Sequence, residues 1–380
     1  MDDSLIVLSN KIEKTYTGCL IKVASFDLDN TIIFTKSKKI FAIDSNDWSI
    51  DTVVINKLHN LINENYKIII FTNQGGIKSG KQDKNDWINK CNKIMNYINI
   101  PVIIVASIKD DLYRKPRTDM WNYIKTNYYS NIDMINSFYC GDACGRIKYK
   151  NRKADFSCSD YKFALNLNIL FYTPEQLFYN SNSAIDIDIS YRDLGFEPKK
   201  YLTNTDDSEI QIMLNNILNF NRKLILLIGP MAAGKSTFYN NYMSAQDMYK
   251  LINQDQLKTI AKCKTEFNNY IKLQILNKQE NYNIIIDNCN KDIKTREIWK
   301  ELAKKNNLEL IYIVFDIPKE MSFHLNTFRS LTCSKHIPKI AIHVYYKNYE
   351  EPTDIECTNI CKIPFILNNK NLNLLLQYLM

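Results

Sequence analysis

The chain has 380 residues, 45% hydrophobic and 24% charged, with only 9 glycines. The composition excludes a collagen-like or low-complexity polymer, the length suits about two domains, and no apolar run approaches the roughly 20 residues that cross a bilayer. Lys plus Arg exceed Asp plus Glu by 49 to 41, and this net charge of +8 favours phosphate-rich partners without specifying one.

Leu20 to Phe26 read as a buried strand, 52–65 as a helix, Lys67 to Thr72 as a strand and 83–98 as a helix. A strand at 101–106, a helix at 118–127, a short strand at 137–140 and a helix at 160–166 follow. Residues 180–222, with Asp186, Asp188, Gly195 and Pro198, break that rhythm. It restarts with a strand from Lys223 to Ile228, a helix from about Lys235, and strands at 249–253, 282–287 and 308–316. Strands alternating with helices predict parallel sheets covered on both faces. The fold class is therefore α/β, with two doubly wound domains in tandem, 1–179 and 222–380, joined by a linker at 180–221. Ten cysteines without a CxxC pair, and an amino terminus without a signal-peptide pattern, predict reduced thiols in an intracellular, reducing compartment.

Gly229-Pro230-Met231-Ala232-Ala233-Gly234-Lys235-Ser236-Thr237 fits GxxxxGK[ST] between a strand and a helix. Such a loop folds its backbone N–H groups around a polyphosphate, which makes Gly229, Ala232, Ala233, Gly234 and Thr237 nucleotide contacts. Lys235 would reach the β/γ oxygens of ATP and Ser236 would ligate Mg²⁺. Asp255, just past the strand 249–253, either accepts a proton from an attacking hydroxyl or caps a helix beginning at Gln256. Asp287 ends the strand 282–287, where it orients substrate or simply begins a loop. Arg329, within Met321–His336, is either the lid cation for the transferring phosphate or part of a solvated helix face.

Asp27-Leu28-Asp29-Asn30-Thr31 follows the first strand, Thr72-Asn73-Gln74-Gly75-Gly76 the second, and Gly141-Asp142 the strand at 137–140, with Lys115-Pro116 between the last two. One parallel sheet would bring all four to one edge. Together they resemble the four motifs of the haloacid dehalogenase superfamily of phosphatases. The resemblance implies that Asp27 attacks phosphorus, that Asp29 protonates the leaving oxygen and then deprotonates water, and that Thr72 binds phosphoryl oxygens. Lys115 would neutralise developing charge, and Asp27, Asp29 and Asp142 would be the metal positions; Asp155 and Asp160 are further candidates. About 20 residues lie between Asp29 and the helix near Asp51, too few for a helical cap, so the site is expected to suit a phosphate on a polymer.

Over nearly its whole length the chain resembles the polynucleotide kinase 3′-phosphatase family. The carrying runs are DLDNT at 27–31, FTNQGGIKSGK at 71–81, LYRKPRTDMW at 112–121, YCGDACGR at 139–146 and DFSCSDYKFALN at 155–166. The P-loop with Phe238 and IIDNCN at 285–290 complete them. The resemblance implies a Mg²⁺-dependent DNA 3′-phosphatase followed by an ATP-dependent 5′-hydroxyl kinase, with a DNA ligase consuming the products. It implies a monomer in the nucleus or at a viral cytoplasmic replication site, and a form without the forkhead-associated domain of animal members. Asp255 would activate the 5′-hydroxyl; Asn73, Arg114, Arg146 and Asp287 are the candidate substrate contacts. Gln254, Thr327 and Tyr346 stand where the family usually carries basic residues, which weighs on the kinase and leaves the phosphatase motifs intact. Arg146, Lys148, Lys150, Arg152 and Lys153 surround Tyr149 in a basic loop that either binds nucleic acid or is solvated, and Lys36, Lys38 and Lys39 would wall the same groove. Two rivals remain at this stage: an RNA end-repair enzyme, and a 3′-phosphatase or nucleic-acid-binding scaffold with a weak or inactive kinase domain.

Overall fold

A computed structural model describes the chain except for residues 1–2, 13–19, 40–41, 149–152, 180–193, 202–207, 209–211, 213, 215–221, 277–281, 334–335, 364 and 366–370. Most of the predicted linker, and Tyr149, Lys150 and Arg152 of the basic loop, lie outside the described residues. The chain divides into two units, Met1–Gly195 with Gln377–Met380, and Phe196–Leu376. The division falls inside the predicted linker, but the last four residues group with the first unit and not with the second. Among the described residues no helix is long and apolar enough to cross a membrane.

The first unit is built on a six-stranded sheet in the order β1-β4-β3-β2-β5-β6. Its strands are β1 (Leu5–Asn10), β2 (Lys22–Phe26), β3 (Tyr66–Asn73), β4 (Val102–Ser107), β5 (Phe138–Cys140) and β6 (Leu170–Tyr172). All neighbours pair in parallel except β1, which runs antiparallel to β4 as an edge strand. Neither β1 nor β6 is among the predicted strands. The period-two rule divides β3 cleanly: Ile68 and Ile70 enter one core, with Trp87, Ile94 and Ile98, while Ile69 and Phe71 enter the other, with Trp121, Ile124 and Phe163. Helices cover both faces, and their starts follow ordinary capping chemistry. Asp51 accepts from Val53 N ahead of the helix Thr52–Asn63, and Asp83 accepts from Asp86 N at the start of Lys84–Ile98.

The second unit is a five-stranded, fully parallel sheet in the order β11-β10-β7-β9-β8. These strands are β7 (Lys223–Ile228), β8 (Tyr249–Asn253), β9 (Asn283–Asp287), β10 (Glu309–Phe315) and β11 (Ile360–Ile363). The strand β7 is buried at every residue, as a central parallel strand must be, and it delivers the glycine-rich loop to the carboxyl edge between β9 and β10. In the first unit β2 holds the equivalent place between β3 and β5. Both candidate sites thus stand at the exit of an interior strand.

Candidate active sites

In the first unit Asp27 leaves β2 with its backbone N–H donating to the Cys140 carbonyl at 2.9 Å. The predicted cation beside it, Lys115, is buried, and its Nζ sits 2.6 Å from Asp27 Oδ1, 2.7 Å from the Phe71 carbonyl, 2.7 Å from Tyr139 Oη and 2.8 Å from Asp160 Oδ1. Asn73 holds the Lys115 backbone from both sides: its Oδ1 accepts from Lys115 N at 2.9 Å and its Nδ2 donates to Lys115 O at 3.0 Å. Predicted as a substrate contact, Asn73 spends both ends of its amide on positioning Lys115. Thr72 is buried at the end of β3, and its Oγ1 accepts from Gln74 Nε2 at 2.8 Å, which leaves the hydroxyl proton available to a phosphoryl oxygen.

Carboxylate oxygens of Asp27, Asp142 and Asp160 lie within 4.8 Å of one another. Burial, with Lys115 opposing and Asp160 and Asp29 adding, pushes Asp27 up to about 7; burial, then Asp27 and Asp160, pushes Asp142 up to about 8. Burial pulls the Lys115 ammonium down, but Asp160 and then Asp27 raise it overall above its ordinary value. Three crowded acids with one lysine are a donor set suited to a hard divalent cation. Asp160, with few specific signals in the sequence, is therefore central, and it explains Gly141: a Cβ there would collide with the Asp160 carboxylate.

Two further predicted roles change. Asp29, predicted also as a metal position, keeps its carboxylate outside this trio; Oδ2 accepts from Gln74 Nε2 at 2.8 Å and Oδ1 lies 3.5 Å from Lys90 Nζ. Arg146, predicted to contact substrate, is buried in ion pairs to Asp155 at 2.8 Å and Glu175 at 3.1 Å, and donates to the Asp142 carbonyl at 3.2 Å. It braces the acidic loop from inside, as does Asp155, whose Oδ2 accepts from Cys144 N and Arg146 N. Arg114, also predicted to contact substrate, lies against Gly75, its Nη1 3.2 Å from where a Cβ would be. Lys36, Lys38, Lys39, Lys148 and Lys153 are exposed.

In the second unit Gly234 adopts φ +91° at the start of the helix Lys235–Tyr242, a conformation that favours glycine and aims the following N–H groups into the loop. Lys235 Nζ is buried and folds onto the loop's own carbonyls, Gly229 O at 2.8 Å and Pro230 O at 2.7 Å. Ser236 Oγ donates to Asp287 Oδ2 at 2.9 Å, and Asn253 Nδ2 donates to the same oxygen at 2.8 Å. Asp287, predicted as a substrate contact, thus stands on the hydroxyl predicted to ligate Mg²⁺. Asp255 is exposed in the helix Gln254–Leu257; Asn253, whose Oδ1 accepts from Gln256 N at 3.1 Å, is that helix's cap. The capping alternative for Asp255 falls away.

A cavity of about 340 Å³ adjoins the loop, lined by Ala232, Ala233, Gly234, Thr237, Phe328 and Arg329 among others. Arg329 lies on the helix Lys319–Cys333 with a buried Nε that lacks a hydrogen-bond partner among the described residues. Ser322 Oγ of the same helix donates to Met231 O at 2.8 Å and ties it to the loop. Of the departures noted in the sequence, Tyr346 Oη donates to Ile317 O at 2.7 Å and Thr327 Oγ1 to Phe323 O at 3.1 Å, both structural uses.

Residues 22–178 match the family described as polynucleotide kinase 3 phosphatase, and residues 224–352 match the AAA domain family. A bifunctional polynucleotide phosphatase/kinase of Schizosaccharomyces pombe is 32% identical over 96% of this chain and 83% of its own. The chain belongs to the bifunctional polynucleotide phosphatase/kinase family. A protein of Acanthamoeba polyphaga mimivirus, whose name assigns the same two activities provisionally, is 34% identical over 87% of this chain and 82% of its own. The polynucleotide 3′-phosphatase ZDP of Arabidopsis thaliana is 35% identical over 43% of this chain and 25% of its own. A solved D,D-heptose 1,7-bisphosphate phosphatase of B. bronchiseptica overlaps 43% of this chain and 88% of its own at 14% identity and a TM-score of 0.33.

Several buried polar groups around the first site carried no expectation from the sequence. Gln74, Lys90 and Tyr139 carried no predicted role, yet each touches Asp29, Thr72 or Lys115. For Lys90 a signal was present: Trp87, Cys91, Ile94, Met95 and Ile98 form the apolar face of its helix, and Lys90 occupies a position on that face.

Proposed function

We propose that the first unit removes 3′-phosphates from DNA ends through an aspartyl-phosphate on Asp27, and that the second transfers the ATP γ-phosphate to 5′-hydroxyl ends. The observation that carries the phosphatase reading is the buried Lys115 bonded to both Asp27 and Asp160 beside the half-exposed Asp29. Asp27 attacks phosphorus while Asp29 gives its proton to the leaving 3′-oxygen. Lys115 and Thr72 hold the phosphoryl oxygens, and Asp29 then takes a proton from the water that cleaves the aspartyl-phosphate. Asp27, Asp142 and Asp160 would hold Mg²⁺, which when bound offsets negative charge on the carboxylates and the transferring group.

In the second unit the loop N–H groups and Lys235 bind the polyphosphate, and the apolar cavity suits the nucleobase. Ser236 with Asp287 would hold Mg²⁺, Arg329 meets the transferring phosphate, and Asp255, uncommitted to capping, takes the 5′-hydroxyl proton. The ends produced suit a DNA ligase, and the exposed Lys36, Lys38 and Lys39, which follow the Asp27 motif in sequence, suit the strand leading to the reacting end. The nine described cysteines are all free, which supports a reducing compartment.

The test is release of inorganic phosphate from a 3′-phosphorylated oligonucleotide and transfer of labelled γ-phosphate to a 5′-hydroxyl one, each as DNA and as RNA. Faster turnover of the DNA ends is expected. Faster turnover of RNA would reassign the substrate, and no transfer to a 5′-hydroxyl would make the second unit a binding module.

A further inference from the structure

Lys90 is one of the most deeply buried charged side chains of the first unit, with 4% of its side chain exposed. It sits on the core face of the helix Lys84–Ile98 among Trp87, Cys91 and Ile94. Its ammonium has one counter-charge among the described residues, Asp29 Oδ1 at 3.5 Å. An ammonium buried among apolar groups with a single long ion pair weakens a fold more than methionine in the same place, so packing gives no reason for it. The other Asp29 oxygen is met by Gln74 Nε2 at 2.8 Å, and the same amide nitrogen lies 2.8 Å from Thr72 Oγ1. Gln74 is itself buried and fixed, its backbone N–H donating to Ser107 O at 2.7 Å.

We propose that Lys90 and Gln74 form a two-point clamp on Asp29 and are positioning residues for its proton transfers. The proposal rests on the phosphatase reading above. Gln74 registers the Asp29 carboxyl against Thr72, and so against the phosphoryl group. When the Asp27 oxygen–phosphorus bond forms and the bond to the 3′-oxygen breaks, the Asp29 proton passes to that oxygen and a full negative charge appears on Asp29. Lys90, itself buried and fixed by its helix, faces that charge across 3.5 Å. In the second step water attacks phosphorus, its proton returns to Asp29, and the Asp27 carboxylate leaves.

The clamp is tested with Lys90→Met, which keeps the stem and removes the ammonium, and with Lys90→Gln as a second variant. On a 3′-phosphorylated oligonucleotide with Mg²⁺, kcat should fall about 10- to 100-fold with KM within about threefold of wild type. The melting temperature of Lys90→Met should stay within about 2 °C of wild type or rise. p-Nitrophenyl phosphate loses its leaving group without needing a proton. Both variants should therefore release about one equivalent of nitrophenolate per enzyme at the wild-type rate, then turn over slowly as water attack awaits Asp29. Wild-type kcat in both variants, an equal slowing of the first turnover with both leaving groups, or a fall in melting temperature beyond about 5 °C in both variants would overturn the clamp. Absence of phosphate release by the wild-type protein itself would overturn the phosphatase reading and the clamp with it, so the two failures are distinguishable.

Discussion

Lys115 is held by side chains and a carbonyl gathered from several elements, whereas Lys235 is held by the backbone of its own loop. Lys115 lies within 2.8 Å of four oxygens from three strand ends and one helix, and Asn73 grips its backbone as well. Lys235 instead rests on the carbonyls of its own loop, Asp255 is exposed, and the buried Nε of Arg329 has no partner among the described residues. The side chains of the first site fix one another, whereas the second leaves Asp255 exposed and Lys235 folded onto its own loop. Burial, and after it the crowding of like charges, raises the Asp27 and Asp142 carboxyls.

The largest effects should separate the two sites cleanly. Asp27→Asn removes the nucleophile and should lower 3′-phosphate release on the order of 10⁴-fold or more, with 5′-phosphorylation unchanged in a labelled-ATP assay. Lys235→Ala should lower 5′-phosphorylation on the order of 10³-fold while phosphate release keeps its wild-type rate. Gly141→Ala sharpens the contrast, because its Cβ must displace the Asp160 carboxylate that holds Lys115. A loss of about 10²-fold in phosphatase kcat, with the fold intact by circular dichroism, is expected from such a displacement.

The smallest effect is thermodynamic and has opposite signs in the two units. Asp27 and Asp142 titrate above the unfolded carboxylate value of 3.8, so their contribution is fully present below about pH 4 and is lost as pH rises through about 7 to 8. Buried His324, whose Nε2 lies 2.7 Å from Leu375 O, is pushed down to about 4 from 6.5, chiefly by burial. Its contribution is present above about pH 6.5 and is lost as pH falls through about 4, up to about 3 kcal/mol. Calorimetry in a metal chelator should show the first unit losing stability toward alkaline pH and the second toward acid. Added Mg²⁺ should flatten the alkaline loss alone.

The sequence carried the strand-end motifs because each is local: a buried run, then a polar cluster where the chain leaves the sheet. Asp27, Thr72, Lys115 and Asp142 converge on one edge in the structure, and Ser236 and Lys235 lie where their loop required. Less was legible where a side chain's partner is remote. Arg146 sits in a cation-rich loop and read as a surface contact, yet Asp155 and Glu175 draw it inward. Asn73 is a substrate contact by resemblance, and only its tertiary pairing with Lys115 reveals another task. The strands β1, β6 and β11 escaped for a different reason. Short or edge strands lack the long apolar run of an interior parallel strand, and β1 pairs antiparallel through a contact some 100 residues away in sequence.

The central claim, two independent phosphate chemistries on one chain, is tested most directly on a nicked DNA duplex bearing a 3′-phosphate and a 5′-hydroxyl, with ATP and Mg²⁺ present. Both end changes are followed in the wild type, Asp27→Asn and Lys235→Ala. The account predicts that Asp27→Asn leaves the 3′-phosphate in place while the 5′-end is phosphorylated, and that Lys235→Ala gives the reverse. Loss of both reactions in either variant, or of neither in Asp27→Asn, would contradict it.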